Sequence, residues 1–88
     1  MFRLWAKIFE NNRMISDTCV MDESVDTRTH KVFRAIEKAC NQFDLSVPVW
    51  LDKNIADFKR LSKTRFNQDN FIESVSFDYL EIQVIEED

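Results

Sequence analysis

"FRLWAKIFENNRMISDTCVM", residues 2–21, decides how this chain starts to fold. Phe2, Leu4, Ala6 and Ile8 alternate with Arg3, Trp5, Lys7 and Phe9. That period of two predicts a strand. Asn11-Asn12 follows, and Asn tolerates a left-handed backbone, so the pair predicts a two-residue type I′ turn. "RMISDTCVM" (13–21) then returns as a second strand. Such a turn sets the register. It places Phe9 opposite Met14, Lys7 opposite Ser16, Trp5 opposite Thr18 and Arg3 opposite Val20. On the other face Ile8 meets Ile15, Ala6 meets Asp17 and Leu4 meets Cys19. That face is the more apolar and is expected to line the core. Asp17 is the misfit: either it lies near a helix N-terminus, or a bulge turns it outward.

Beyond the hairpin, "DESVDTRTH" (22–30) is polar, and Asp26 or Thr27 is the expected N-cap of a helix running to about Phe43. Val32, Ile36, Ala39 or Cys40, and Phe43 recur at helical spacing, and Phe33 broadens the stripe. Pro48 then forbids helix at Val47. "VPVWL" (47–51) reads as a short edge strand or a packed loop, anchored by Val49 and Trp50. Asp52 is expected to cap a second helix with Leu51, Ile55, Phe58 and Leu61 on its apolar arc. It should end near Lys63, because further on Arg65 would fall on that arc. "NQDNFIES" (67–74) reads as loop. In the last strand, Leu80, Ile82 and Val84 face one way and Tyr79, Glu81, Gln83 and Ile85 the other. The alternation slips before Tyr79, which predicts a bulge or a new start near residue 78.

The expected fold is α+β, in the order β-β-α-α-β. It has a three-stranded, mainly antiparallel sheet of order 2-1-3 and two helices packed on it. The last strand goes beside the first, since the first carries apolar residues on both faces. Eighty-eight residues form a single domain, with a frayed acidic tail at 86–88.

Composition narrows function mostly by exclusion. With 44% hydrophobic residues and eight Phe, the chain can build a core. No apolar run is long enough to span a membrane, and the N-terminus lacks the pattern of a signal peptide. The expected location is cytoplasmic, with Cys19 and Cys40 as buried, reduced thiols. The chain holds no glycine, which excludes the glycine-dependent phosphate cradles and the EF-hand loop. Left-handed turns must fall to Asn or Asp. Residues 1–65 carry all twelve Lys and Arg against nine acids, and residues 66–88 carry seven acids and no base.

Across "DTRTHKVFRAI", "VPVWLD", "ADFKR" and "FDYLEIQVIEED" the chain resembles a group of short bacterial proteins of similar length and uncharacterised function. The resemblance spans nearly the whole chain. It implies a small intracellular bacterial domain and carries no activity and no site.

No catalytic site, cofactor or metal is expected. His30 is the single histidine, and it falls in the first turn of a helix, where the dipole disfavours imidazolium. CxxC, HExxH and HxH spacings are missing. Asp17 becomes a site candidate only if buried. "FKRLSKTRF" (58–66) concentrates Lys59, Arg60, Lys63 and Arg65, the alternative site, for nucleic acid. Against it stand a net charge of −4 and a sequence pI near 4.9. The favoured surface is the outer face of the sheet. There Arg3, Trp5, Lys7 and Phe9 join Tyr79 and Ile85, a mix of aromatics and charges typical of protein interfaces. Glu81 is expected near Lys7 or Arg3. The face is either covered by the second helix or the Trp50 segment, or it meets a protein partner or a second copy. The expected function is therefore non-enzymatic protein–protein interaction.

Overall fold

The computed structural model describes residues 1–87. Asp88, the last residue of the expected acidic tail, lies outside them. β1 (Phe2–Glu10) and β2 (Arg13–Asp22) form the hairpin, followed by α1 (Arg28–Phe43) and α2 (Asp52–Leu61). β3 (Lys63–Phe66), a 3-10 turn (Gln68–Asn70) and β4 (Tyr79–Glu86) complete the chain. The sheet is antiparallel, in the order β2-β1-β4-β3.

This is the α+β fold expected, with the last strand beside the first, but the sheet has four strands and not three. The added strand is "KTRF". Ser62 takes a left-handed backbone (φ 54°) and stops α2 after Leu61, so Lys63 no longer belongs to a helix. Thr64 and Phe66 then point into the core, while Lys63 and Arg65 alternate with them. The segment 47–51 is a loop. Of the expected tail, Glu86 closes β4 and pairs with Arg3 at 2.8 Å, and Glu87 pairs with Arg28 at 3.0 Å.

The hairpin turn is as expected, with Asn11 and Asn12 at φ 54° and 64°. Its register holds only next to the turn, at Phe9–Met14. Ile15 is then an extra residue, and from there the pairing moves by one, to Ile8–Ser16, Lys7–Asp17, Trp5–Cys19 and Leu4–Val20. A one-residue shift exchanges the faces of every following side chain. Val20 enters the core in place of Cys19, and Asp17 turns outward, resolving the misfit.

The core lies between one sheet face and the helices. Leu4, Ala6, Leu80, Ile82 and Phe66 from the sheet meet Val32, Ala35, Ile36, Ala39 and Cys40 of α1, all essentially inaccessible. Each large side chain buried this way contributes about 1.5–3 kcal/mol. Thr27 caps α1 by accepting from the His30 backbone N–H at 3.2 Å, and Asp44 ends it at φ 58°. α2 departs from expectation. Its N-cap is Leu51, not Asp52, and Asn54 Oδ1 accepts the Leu51 N–H at 3.0 Å. It buries Asn54 and Phe58, while Leu51, Ile55 and Leu61 stay exposed.

Two buried asparagines fasten this half of the molecule. Asn54 Nδ2 donates to Thr64 Oγ1 and to the Arg65 carbonyl, both at 2.9 Å. Asn70 Nδ2 donates to Asn54 Oδ1 and to the Val49 carbonyl, both at 2.7 Å. The 47–51 loop, α2 and β3 are thereby tied together without a glycine or a disulfide.

Candidate interaction surface

Successive side chains of a strand point to opposite faces. One face here packs on both helices, and the other is covered by neither. Across that outer face the pairing aligns Arg65, Glu81, Lys7 and Asp17 in one row, running β3, β4, β1, β2. Their charges alternate. Arg65 Nε lies 2.9 Å from Glu81 Oε2, and Lys7 Nζ lies 2.8 Å from Glu81 Oε1. Lys7 also donates to Gln83 Oε1 at 3.2 Å. Asp17 is held differently, accepting the Trp5 indole N–H at 2.8 Å.

Aromatic rings roof this row. Lys7 Nζ sits 4.0 Å from the Trp5 ring centroid, and the Arg65 guanidinium 4.5 Å from that of Tyr79. Tyr79 stacks on Phe9 at 5.0 Å and 18°. Such cation–ring contacts contribute about 0.5–2 kcal/mol each, more where water is excluded. The Lys7 and Glu81 side chains keep only 8% and 7% of their exposure. An ion pair is thus shielded on the helix-free face by its own neighbours. Burial alone would raise the Glu81 carboxyl, but the hydrogen bonds from Lys7 and Arg65 outweigh it and hold it below the ordinary range. Around this centre Met14, Met21 and Cys19 are exposed.

Arg3, Trp5, Lys7, Phe9 and Tyr79 therefore share one face, as the sequence predicts, and Glu81 meets Lys7. Ile85 is the extra residue of a second bulge, exposed beside the Arg3–Glu86 pair. The contributions of Asp17, Cys19 and Met21 escape the sequence, because they depend on the bulge at Ile15. Coverage by α2 or Trp50 is not found: Trp50 packs edge-on among Phe33, Phe58 and Phe66 on the helix side, 5.2–6.1 Å between centroids. Its indole nitrogen is buried without a hydrogen-bond partner among the described residues.

The basic stretch is divided between α2, which carries Lys59 and Arg60, and β3, which carries Lys63 and Arg65. Lys59 lines a cleft between α1 and α2, and Arg60 is exposed 3.8 Å from Asp57. Lys63 and Arg65 belong to β3, and Arg65 is committed to Glu81.

The remaining titratable groups are local supports. Arg34 reaches Asp26 at 2.7 Å, Asp22 at 3.0 Å and Ser24 Oγ at 2.8 Å, tying the 23–27 loop and the end of β2 to α1. Arg34, the Thr27 N–H and His30 hold Asp26 well below the usual carboxylate range. His30 is exposed, its Nδ1 3.0 Å from Asp26 Oδ1. Burial pushes the Cys40 thiol up to about 11, whereas Cys19, expected to be buried, is exposed. Among the described residues no three His, Cys, Asp or Glu side chains converge as a metal site, and no helix is long and apolar enough to cross a membrane.

These features define a small α+β domain with one uncovered, charge-paired sheet face. No protein-family model, no curated protein and no solved structure matches the chain.

Proposed function

We propose that this chain is a small, non-enzymatic, cytoplasmic bacterial protein that acts by protein–protein contact through the outer face of its sheet. Its partner there is a protein or a second copy of itself. The observation that carries this reading is the preorganised platform on a face that neither helix covers. Trp5, Phe9 and Tyr79 are fixed by contacts with Lys7, Arg65 and Asp17, so docking orders few side chains and forfeits little entropy. Rings at the centre and methionines at the edge suit a contact in which a few aromatic anchors dominate.

Trp5→Ala and Ile85→Glu test it, read by sedimentation equilibrium and by capture from native lysate with and without nuclease. Both variants should keep the circular dichroism of the parent and weaken association at least about tenfold, a loss of ~1.4 kcal/mol. Association unchanged in both folded variants would remove the proposal. The alternative reading is nucleic-acid binding through Lys59, Arg60, Lys63 and Arg65. It gains ground if nucleic acid is recovered and is lost on neutralising Lys59 and Arg60, with steep salt dependence.

A further inference from the structure

On the helix side, α1 and α2 part to leave a cleft of ≈ 340 Å³. This falls within the range of small-molecule sites. Its walls are Val32 and Phe33 from α1, Trp50, and Ile55 and Phe58 from α2. These are almost wholly apolar, and two of them are left wet: Phe33 at 50% and Ile55 at 44% of full exposure. An amphipathic helix in a domain this small normally buries such residues, yet here the buried positions of α2 are Asn54 and Phe58. Of the apolar arc of α2, Phe58 belongs to the core, while Ile55 beside it lines the cleft and is left half-exposed.

The polar groups in the same walls are few and mostly cationic, Arg28 and Lys59 with Thr29. Arg28 is in part committed: its guanidinium stacks 5.0 Å from the Phe58 centroid, donates to Ser62 Oγ at 2.9 Å and pairs with Glu87. Lys59 makes no ion pair among the described residues. An apolar cleft with an uncommitted ammonium at its wall is complementary to one chemistry, an apolar body carrying a single negative charge. Trp50 and Phe58 meet edge-on at 5.4 Å, and their rings give a flat-sided body a surface to lie against.

We infer that the α1–α2 cleft binds a small amphiphilic carboxylate, its hydrocarbon or aryl part against Phe33, Trp50 and Ile55 and its carboxylate at Lys59. Each methylene removed from water there contributes about 0.8 kcal/mol, so affinity rises with chain length until the cleft is filled. The site lies on the other side of the sheet from the surface proposed above and stands independently of it.

The two tryptophans make the test internal to one spectrum. Trp50 lines the cleft and Trp5 lies on the opposite sheet face, so their indole N–H resonances, assigned with Trp5→Phe, report the two sides separately. Sodium decanoate, kept below its micelle concentration, is titrated into the ¹⁵N-labelled full chain. The Trp50 signal should shift saturably while that of Trp5 stays in place. Lys59→Glu should weaken the apparent Kd at least about tenfold, as for loss of a charged hydrogen bond. Decyltrimethylammonium, with a tail of the same length and the opposite charge, should bind at least as much more weakly. The inference is overturned by any of four results: no saturable shift, equal movement of both indoles, equal affinity for the two amphiphiles, or an unchanged Kd in Lys59→Glu. Shifts at Trp50 that depend on protein concentration without any decanoate would seat a second copy in the cleft and would overturn it as well.

Discussion

A chain with no glycine must still turn its backbone into the left-handed region. It does so at Asn11, Asn12, Asp44 and Ser62, all with φ between 54° and 64°. Three of these are the residue types whose short polar side chains tolerate it. Ser62 is the exception, held by its own N–H to the Phe58 carbonyl at 2.9 Å and by Arg28 on its hydroxyl. Asn12→Gly should relieve the second turn position, adding about 0.5 kcal/mol and raising the Tm by about 2–4 °C in calorimetry. Glu81 is the residue on which the outer face most depends. Glu81→Gln takes from Lys7 its 2.8 Å ion-pair partner and should cost about 3 kcal/mol in urea unfolding. In the native protein the carboxyl of Glu81 is held below its ordinary 4.5. The unfolded chain therefore takes up the proton first as the pH drops. The stability contributed by the pair is whole above that value and declines as the pH falls through it. Asp22, Asp26 and Glu73 are held low as well and share the sign. Urea midpoints should accordingly fall between pH 7 and pH 3, and Glu81→Gln should narrow the difference without abolishing it.

Among the elements, the strands were the more legible. β1, and β4 as far as Val84, follow the alternation, because each has one face in the core and one outside, and that pattern is local. α1 was legible for the same reason, and its N-cap Thr27 is one of the two residues expected there. α2 and β3 were not. The break between them is a left-handed serine, which no composition rule marks, and β3 has only four residues. The one warning was that Arg65 would have fallen on a helical apolar stripe. What stabilises this half is polar and long-range: Asn54 and Asn70 bridge each other, Val49, Thr64 and Arg65 across sequence separations that no periodicity reveals. Asn70→Ala would strip partners from Asn54 and from the Val49 carbonyl, leaving buried polar groups unmade. A loss of about 2–3 kcal/mol is expected on that account, with hydrogen exchange fastest in 47–51 and β3. Equal loss of protection in β1 would contradict this division of the fold.

At the scale of the molecule, the two sides of the sheet have different work. One side is the core, and the other carries its charges as a paired row under aromatic rings. Whole-molecule association is the property that should respond to Trp5→Ala and Ile85→Glu, while the α1–α2 cleft should be indifferent to both. Of the candidate surface, Arg3, Trp5, Lys7, Phe9 and Tyr79 could be grouped from alternation alone, since residues two apart on a strand share a face. By itself the sequence determined the α+β class, the hairpin with its Asn-Asn turn, the place of the last strand beside the first and the absence of glycine-built phosphate sites. Only the tertiary structure decided the fourth strand, the bulge that sends Asp17 and Cys19 outward, the division of the four basic side chains between α2 and β3 and the face left uncovered. The reason is physical: periodicity reports how a segment meets water and core, whereas register shifts and long-range hydrogen bonds depend on which segments become neighbours.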